Sequence, residues 1–166
     1  MDNKKKSQKQ ENKISKLLDM KKTISSGSLW FSKGDLKDDD FILEAKTTDN
    51  EKYTINRKLI NKISEESFSR FKKPLIFITV QKKDYMLLKK DDFLNILEID
   101  ENKIKDLLIY REENTRNNSG FTINNDLFKE ESIREVVMVN FMKNKKIFDQ
   151  WICIKTELFL KIKEDK

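Results

Sequence analysis

Gly34-Asp35-Leu36-Lys37-Asp38-Asp39-Asp40-Phe41-Ile42-Leu43-Glu44-Ala45-Lys46-Thr47-Thr48 is the stretch that decides how this chain is read. It opens as an acidic turn and becomes a strand. Phe41, Leu43 and Ala45 alternate with Ile42, Glu44 and Lys46, so a two-residue period sends Glu44 and Lys46 out of one face. If Asp35 ends the neighbouring strand, two carboxylates and an amine meet at one point. Such a grouping can bind a divalent metal and act on a phosphodiester. A charged face on a half-buried strand is more often simply solvated, so the remainder of the chain has to decide between the two.

The chain has 166 residues, the size of one domain with an appendage. Hydrophobic residues make up 37% and charged residues 39%, and eleven Phe with many Ile and Leu still suffice for a core. Lys and Arg number 35 against 29 Asp and Glu, a net charge of +6 that fits a polyanionic partner without requiring one. AT-rich coding would also enrich Lys. No histidine is present, which removes Ser-His-Asp triads, Cys-His pairs and His-ligated zinc. Acid–base or metal chemistry must then use carboxylates, Lys, Tyr or water. The one cysteine, Cys153, lies in the apolar run Trp151-Ile152-Cys153-Ile154 and reads as a buried small hydrophobe. The polar start and the lack of a long apolar run predict a soluble protein of the cytoplasm, not secreted and without a membrane partner.

Along the chain, residues 1–9 read as a flexible basic arm, either a solubilising tail or a phosphate-contacting one. Ile14, Leu17 and Leu18 predict a helix from about Gln8 to Met20, with Glu11 on the same stripe one turn earlier. Leu29-Trp30-Phe31 reads as a short strand. Across Asp49-Asn50, Lys52-Tyr53-Thr54-Ile55 reads as the hairpin partner of the Phe41–Thr47 strand. Asn56 caps a helix from Arg57 to about Phe71. Pro74 opens Leu75-Ile76-Phe77-Ile78-Thr79-Val80, apolar on both faces and therefore a covered strand. A Lys-rich turn leads to Tyr85-Met86-Leu87-Leu88, and Asp91 or Asp92 caps a helix from Phe93 to Leu97. Ile104 to Arg111 reads as a further helix, and residues 112–126 as a polar linker. Val136 to Phe141, another Lys-rich turn, Ile147 to Ile154 and a helix from Glu157 to Ile162 capped by Thr156 close the chain.

The domain plan is thus an arm at 1–9, a core domain at 10–111, the linker, and an accessory or dimerising hairpin with helix at 127–166. Residues 75–97 and 136–162 share one pattern of strand, Lys-rich turn, strand and short helix. Tyr85-Met86-Leu87-Leu88-Lys89 matches Trp151-Ile152-Cys153-Ile154-Lys155 in character. Chance recurrence of a common ββα pattern is the weightier explanation at this level.

Ser26-Gly27-Ser28, Lys33-Gly34-Asp35-Leu36 and Phe41-Ile42-Leu43-Glu44-Ala45-Lys46-Thr47-Thr48 together resemble the PD-(D/E)xK nuclease superfamily. The nearest likeness is to small phage-encoded endonucleases of Holliday junction resolvase type. Gln10-Glu11 on a leading helix, Tyr53 to Ile63 and the hairpin into Asp92-Phe93-Leu94 extend it over about residues 7–98. Gly34 stands where the superfamily usually has proline. The resemblance implies an α/β fold of α+β mixed-sheet type, an αβββαβ core with an added C-terminal ββα segment. It implies a metal-dependent endodeoxyribonuclease acting in DNA recombination on DNA, branched DNA included. Mg2+ (or Mn2+) would be held by Asp35, Glu44, the Ala45 carbonyl and Glu11. Lys46 would orient the attacking water or stabilise the transition state beside Glu44, Asp35 and Glu11. Ser26, Gly27, Ser28 and Lys33 would touch nucleic acid. Resolvases of this kind commonly act as homodimers, because two cuts need two sites. Asp35 is preferred to Asp40, whose four-residue offset from Glu44 spans about 13 Å of one strand. The competing classes are a binding module that keeps the fold without cutting, and a protein-interaction adaptor using Trp151 and Phe148.

Overall fold

The computed structural model describes residues 3–23, 34–100, 109–115, 120–124, 127–128 and 135–164. Among the described residues there are four helices and ten strands, with parallel and antiparallel pairs, the mixed α/β class expected. They divide into two compact units, Met1–Thr47 with Lys58–Ile78, and Thr48–Arg57 with Thr79–Lys166.

The first unit begins with α1 (Asn3–Leu18), which leads into β1 (Lys21–Lys22), β2 (Leu36–Lys37) and β3 (Phe41–Thr48). β1 pairs antiparallel with β2, and β2 with β3 through Leu36↔Leu43 and Lys37↔Ile42. α2 (Arg57–Phe68) then crosses to β5 (Lys73–Val80). Lys73 N–H donates to the Asp40 carbonyl at one end and Gln81 N–H to the Thr48 carbonyl at the other, so β5 runs parallel to β3. Strand order is β1-β2-β3-β5. Such a parallel neighbour explains the two-sided apolar character of Leu75 to Ile78, all buried. Ile14, Leu36, Ile42, Leu43, Ile60 and Ile63 complete the core.

The second unit holds β4 (Lys52–Ile55), β6 (Lys83–Lys89), α3 (Lys90–Ile96), β7 (Ile109–Asn114), β8 (Phe121–Asn124), β9 (Glu135–Lys143), β10 (Lys146–Lys155) and α4 (Thr156–Glu164). Its strands run in the order β6-β10-β9-β7, with β4 and β8 forming a separate pair. Cys153 is fully buried, as its apolar setting required.

Several expectations need correction. α1 starts at Asn3, so residues 3–9 are its first turns and not a flexible arm. That stretch is four Lys and one Gln beside Asn3 and Ser7, with no Gly, Pro or β-branched residue. Of the expected stripe Ile14 is buried but Leu17 is exposed, and Gln10 joins Ile14 on the buried face. β4 pairs with β8, not with β3. Both edges of β3 are already taken, by β2 and β5. α2 ends at Phe68, because Phe71 N–H bonds to the Phe68 carbonyl and Lys72 N–H to that of Ser67, with Phe71 left-handed at φ 56°.

The helix expected up to Arg111 lies outside the described residues at 104–108, and Ile109 to Arg111 belong to β7. The expected linker contains the end of β7 and all of β8. Polar residues become strands there because cross-strand pairing with β9 and β4 outweighs intrinsic preference. β6 and α3 fall in the second unit, so the 10–111 domain boundary does not hold. α3 begins at Lys90 without a side-chain cap, and Asp91 and Asp92 sit in its first turn. The Thr156 hydroxyl oxygen is buried without a hydrogen bond and caps nothing. Trp151 is fully buried with its indole N–H on Asp149, so it offers no contact patch. The expected strand at Leu29-Trp30-Phe31 lies outside the described residues.

Candidate active site

The site grows out of the two residues that lead into β2. Gly34 sits at φ 75°, and a Cβ there would stand 2.4 Å from the Ile42 side chain, so only glycine fits. That conformation aims Asp35 at β3. Its N–H donates to the Leu43 carbonyl at 2.8 Å, and its side-chain Oδ2 accepts the Ala45 N–H at 2.8 Å. The neighbouring acids have a different task. Asp38 Oδ1 accepts the Asp40 and Phe41 N–H groups and closes the turn. Lys72 Nζ caps the Asp38 and Asp39 carbonyls at 2.5 and 2.7 Å. Asp38 to Asp40 are therefore a turn, and Asp35 is the aspartate delivered to the strand.

On β3, Glu44 is 3% exposed, so this is not a solvated charged face. Lys46 Nζ lies 2.7 Å from Glu44 Oε1, consistent with the two-residue period. A second amine was missed in the sequence. Lys62 of α2 reaches the same carboxylate, with Nζ 3.0 Å from Oε1 and 2.9 Å from Oε2. The only signal for it is its place three residues after Leu59, at the edge of the apolar face of α2. α1 docks through Gln10, buried, whose Nε2 donates to the Lys46 carbonyl at 2.6 Å. That bond sets Glu11, the next residue, near Asp35.

The electrostatics divide the acids. Burial pushes the Glu44 carboxyl up, but the hydrogen bonds and charges of Lys46 and Lys62 outweigh it and hold Glu44 below its ordinary 4.5. Asp35 goes the other way. Burial and then the Glu44 carboxylate raise it above 3.8, against the Ala45 N–H and the two lysines. Glu11 is raised by burial and by Asp35, with Lys22 opposing. Glu11, Asp35 and Glu44 thus form a row in which each feels the next. Glu44 is compensated by ammonium groups, and the Asp35–Glu11 end is short of positive charge.

A hard divalent cation fits that deficit, because the donors are oxygens throughout: the carboxylates of Asp35, Glu44 and Glu11, with the Ala45 carbonyl on the same strand. Among the described residues no three acidic groups already converge as a closed cage. Lys46 and Lys62 take that place on Glu44. Ser26, Gly27, Ser28 and Lys33 lie outside the described residues.

The row has a consequence for stability. Asp35 binds a proton more readily folded than unfolded, so its contribution is fully present below pH 3.8. It is lost as pH rises through the raised folded value. Asp35→Asn keeps an acceptor for Ala45 N–H and removes the charge. Without divalent metal it should raise Tm near pH 7 by about 2–4 °C, a gain on the order of 1 kcal/mol. Thermal melts at pH 7 and pH 3.5 should show that gain shrinking at the lower pH. Equal or lower stability at pH 7 would contradict the burial and Glu44 repulsion that raise Asp35.

Comparison of the chain with models of known families, with curated proteins and with solved structures finds no match. No helix among the described residues is long and apolar enough to cross a membrane.

Proposed function

We propose that the protein is a divalent-metal-dependent endodeoxyribonuclease that hydrolyses phosphodiester bonds, with branched DNA among its substrates. One observation carries the reading. Asp35 is hydrogen-bonded to the backbone between Glu44 and Lys46, so two carboxylates and an ammonium group meet at the middle of β3. The order of elements in the first unit, helix, three antiparallel strands, helix, parallel strand, also agrees with the PD-(D/E)xK resemblance. Asp35, Glu44, Glu11 and the Ala45 carbonyl would hold Mg2+ or Mn2+. When bound, such an ion neutralises phosphate charge and makes a water more acidic.

The chain's own residues do the rest. The Ala45 N–H fixes Asp35. Lys46 and Lys62 keep Glu44 ionised at neutral pH, ready as a ligand. Lys46, 34% exposed, can reach a phosphate oxygen or the attacking water. Water adds to phosphorus, the ester P–O bond breaks, and the leaving oxygen takes up a proton. Lys5, Lys9, Lys13 and Lys16 are exposed on α1, whereas Gln10 and Ile14 are buried, and these lysines suit a phosphate backbone.

The test is incubation of labelled four-way junctions and linear duplexes with Mg2+ or Mn2+, beside Asp35→Ala. Cleavage by the wild type and none by the variant is expected. Cleavage surviving in the variant would sink the proposal. A second reading, a nucleic-acid-binding module that does not cut, is favoured by one feature: both Glu44 oxygens are satisfied by lysines without any metal. Gel-shift binding that survives Glu44→Ala, with no cleavage under either metal, would select it.

A further inference from the structure

The recurring ββα pattern has a structural counterpart inside the second unit. β6 and β10 pair antiparallel, and the pairing joins each copy to the other's equivalent positions. Tyr85, Leu87 and Lys89 correspond in sequence to Trp151, Cys153 and Lys155. In the sheet Tyr85 faces Lys155, Lys89 faces Trp151, and Leu87 faces Cys153, its own equivalent. Exchanging the copies leaves that set of partners unchanged, which defines a local two-fold axis through the Leu87–Cys153 pair. The helices that follow obey it as well. Phe93 of α3 and Phe159 of α4 are separated by the same interval in sequence, and their rings meet at 6.4 Å.

The flanking features repeat. Each strand runs directly into its helix at a lysine, Lys89 or Lys155, and an acid follows in the first turn, Asp91 or Glu157. Each hairpin turn has two residues at positive φ, Gln81 and Lys82 at 46° and 73°, Asn144 and Lys145 at 50° and 62°. The first strand of each hairpin has a parallel neighbour, β3 beside β5 and β7 beside β9. Chance recurrence of a ββα pattern gives no reason for residues to pair with their own equivalents. An isologous interface requires it.

We infer that β7, β9, β10 and α4 are a second, degenerate copy that occupies the place of a second subunit, so that one chain acts as its own two-fold pair with a single cutting centre. The chemistry is not repeated. β7 reads Ile109-Tyr110-Arg111-Glu112-Glu113-Asn114 and has no Glu-x-Lys pair. The β6 edge pairs with β10, and the α3 ring Phe93 lies against Phe159 of α4. The homodimer expected from the resemblance is replaced by an internal one, and the product is a nick in one strand. The nicking arm rests on the nuclease reading proposed above; the two-fold arm does not.

Three measurements on the full chain test this. Sedimentation equilibrium across micromolar concentrations, with and without Mg2+, should give one species of 19.9 kDa; a dimer overturns the inference. Leu87→Cys sets a thiol directly across from Cys153, and mild oxidation should link them within one chain. A link between two chains, or no link in a folded protein, overturns it too. Supercoiled plasmid with Mg2+ should accumulate as nicked circles; linear product formed directly from supercoiled DNA would refute a single centre. No cleavage at all would remove the nuclease reading, while the first two measurements still decide the two-fold.

Discussion

Lys46→Met is expected to slow metal-dependent DNA cleavage by about 10³-fold and to leave the chain folded. The rate effect is large because a fixed ammonium beside the scissile phosphate stabilises charge that develops only in the transition state. The stability effect is small because Lys46 is 34% exposed and Lys62 still holds the Glu44 carboxylate at 2.9 Å. Single-turnover rates on a labelled four-way junction, with a thermal melt of each protein, separate the two. A fall of less than about 10-fold, below the usual effect of a catalytic proton-transfer or charge-stabilising group, would remove Lys46 from the chemistry.

The second large effect is on stability and is asymmetric. Glu44 is buried, whereas its partners are half-exposed, Lys62 at 49%. Removing both lysines strands a carboxylate in the core. Lys46→Met with Lys62→Met should therefore cost about 3–5 kcal/mol at pH 7, roughly 10 °C in Tm. Adding Glu44→Gln should recover most of that loss. Glu44→Ala alone should cost much less, because two ammonium groups on flexible stems can turn to water. The pH sign is fixed by the lowered Glu44 value. Its contribution is present above its unfolded 4.5 and lost as pH falls through the lower folded value, so the gap between wild type and the double variant closes in acid. Mg2+ should restore part of the double variant's stability, since a cation at Glu44 replaces the lost charges. Denaturation of these four proteins and of the two single lysine variants, with and without Mg2+, measures all of this. Additive losses from the two lysines, with no rescue by Glu44→Gln, would contradict the arrangement.

What the sequence made legible follows physical scale. Glu44 and Lys46 were readable because a two-residue period is local. Asp35 was readable because Gly34 marks a backbone position that a side chain cannot occupy. Lys62 was not, since a helical lysine between Asn61 and Ile63 looks like any solvated residue until α2 is placed over β3. The same limit hid β7 and β8. Arg111-Glu112-Glu113-Asn114 has no strand preference, and pairing with β9 supplies it. The two-fold was nearly invisible because it resides in register. Tyr85 and Trp151 differ in identity, and the inferred pairing of copies rests on the register of Leu87 with Cys153 and on the Phe93–Phe159 contact.

Crystals soaked in Mn2+ and measured at an anomalous wavelength put the central claim to its most direct test. One strong peak is expected about 2 Å from carboxylate oxygens of both Asp35 and Glu44, with the Lys62 ammonium withdrawn from Glu44. Full Mn2+ exposure with no peak there, and with Lys46 and Lys62 both still seated on Glu44, would contradict it.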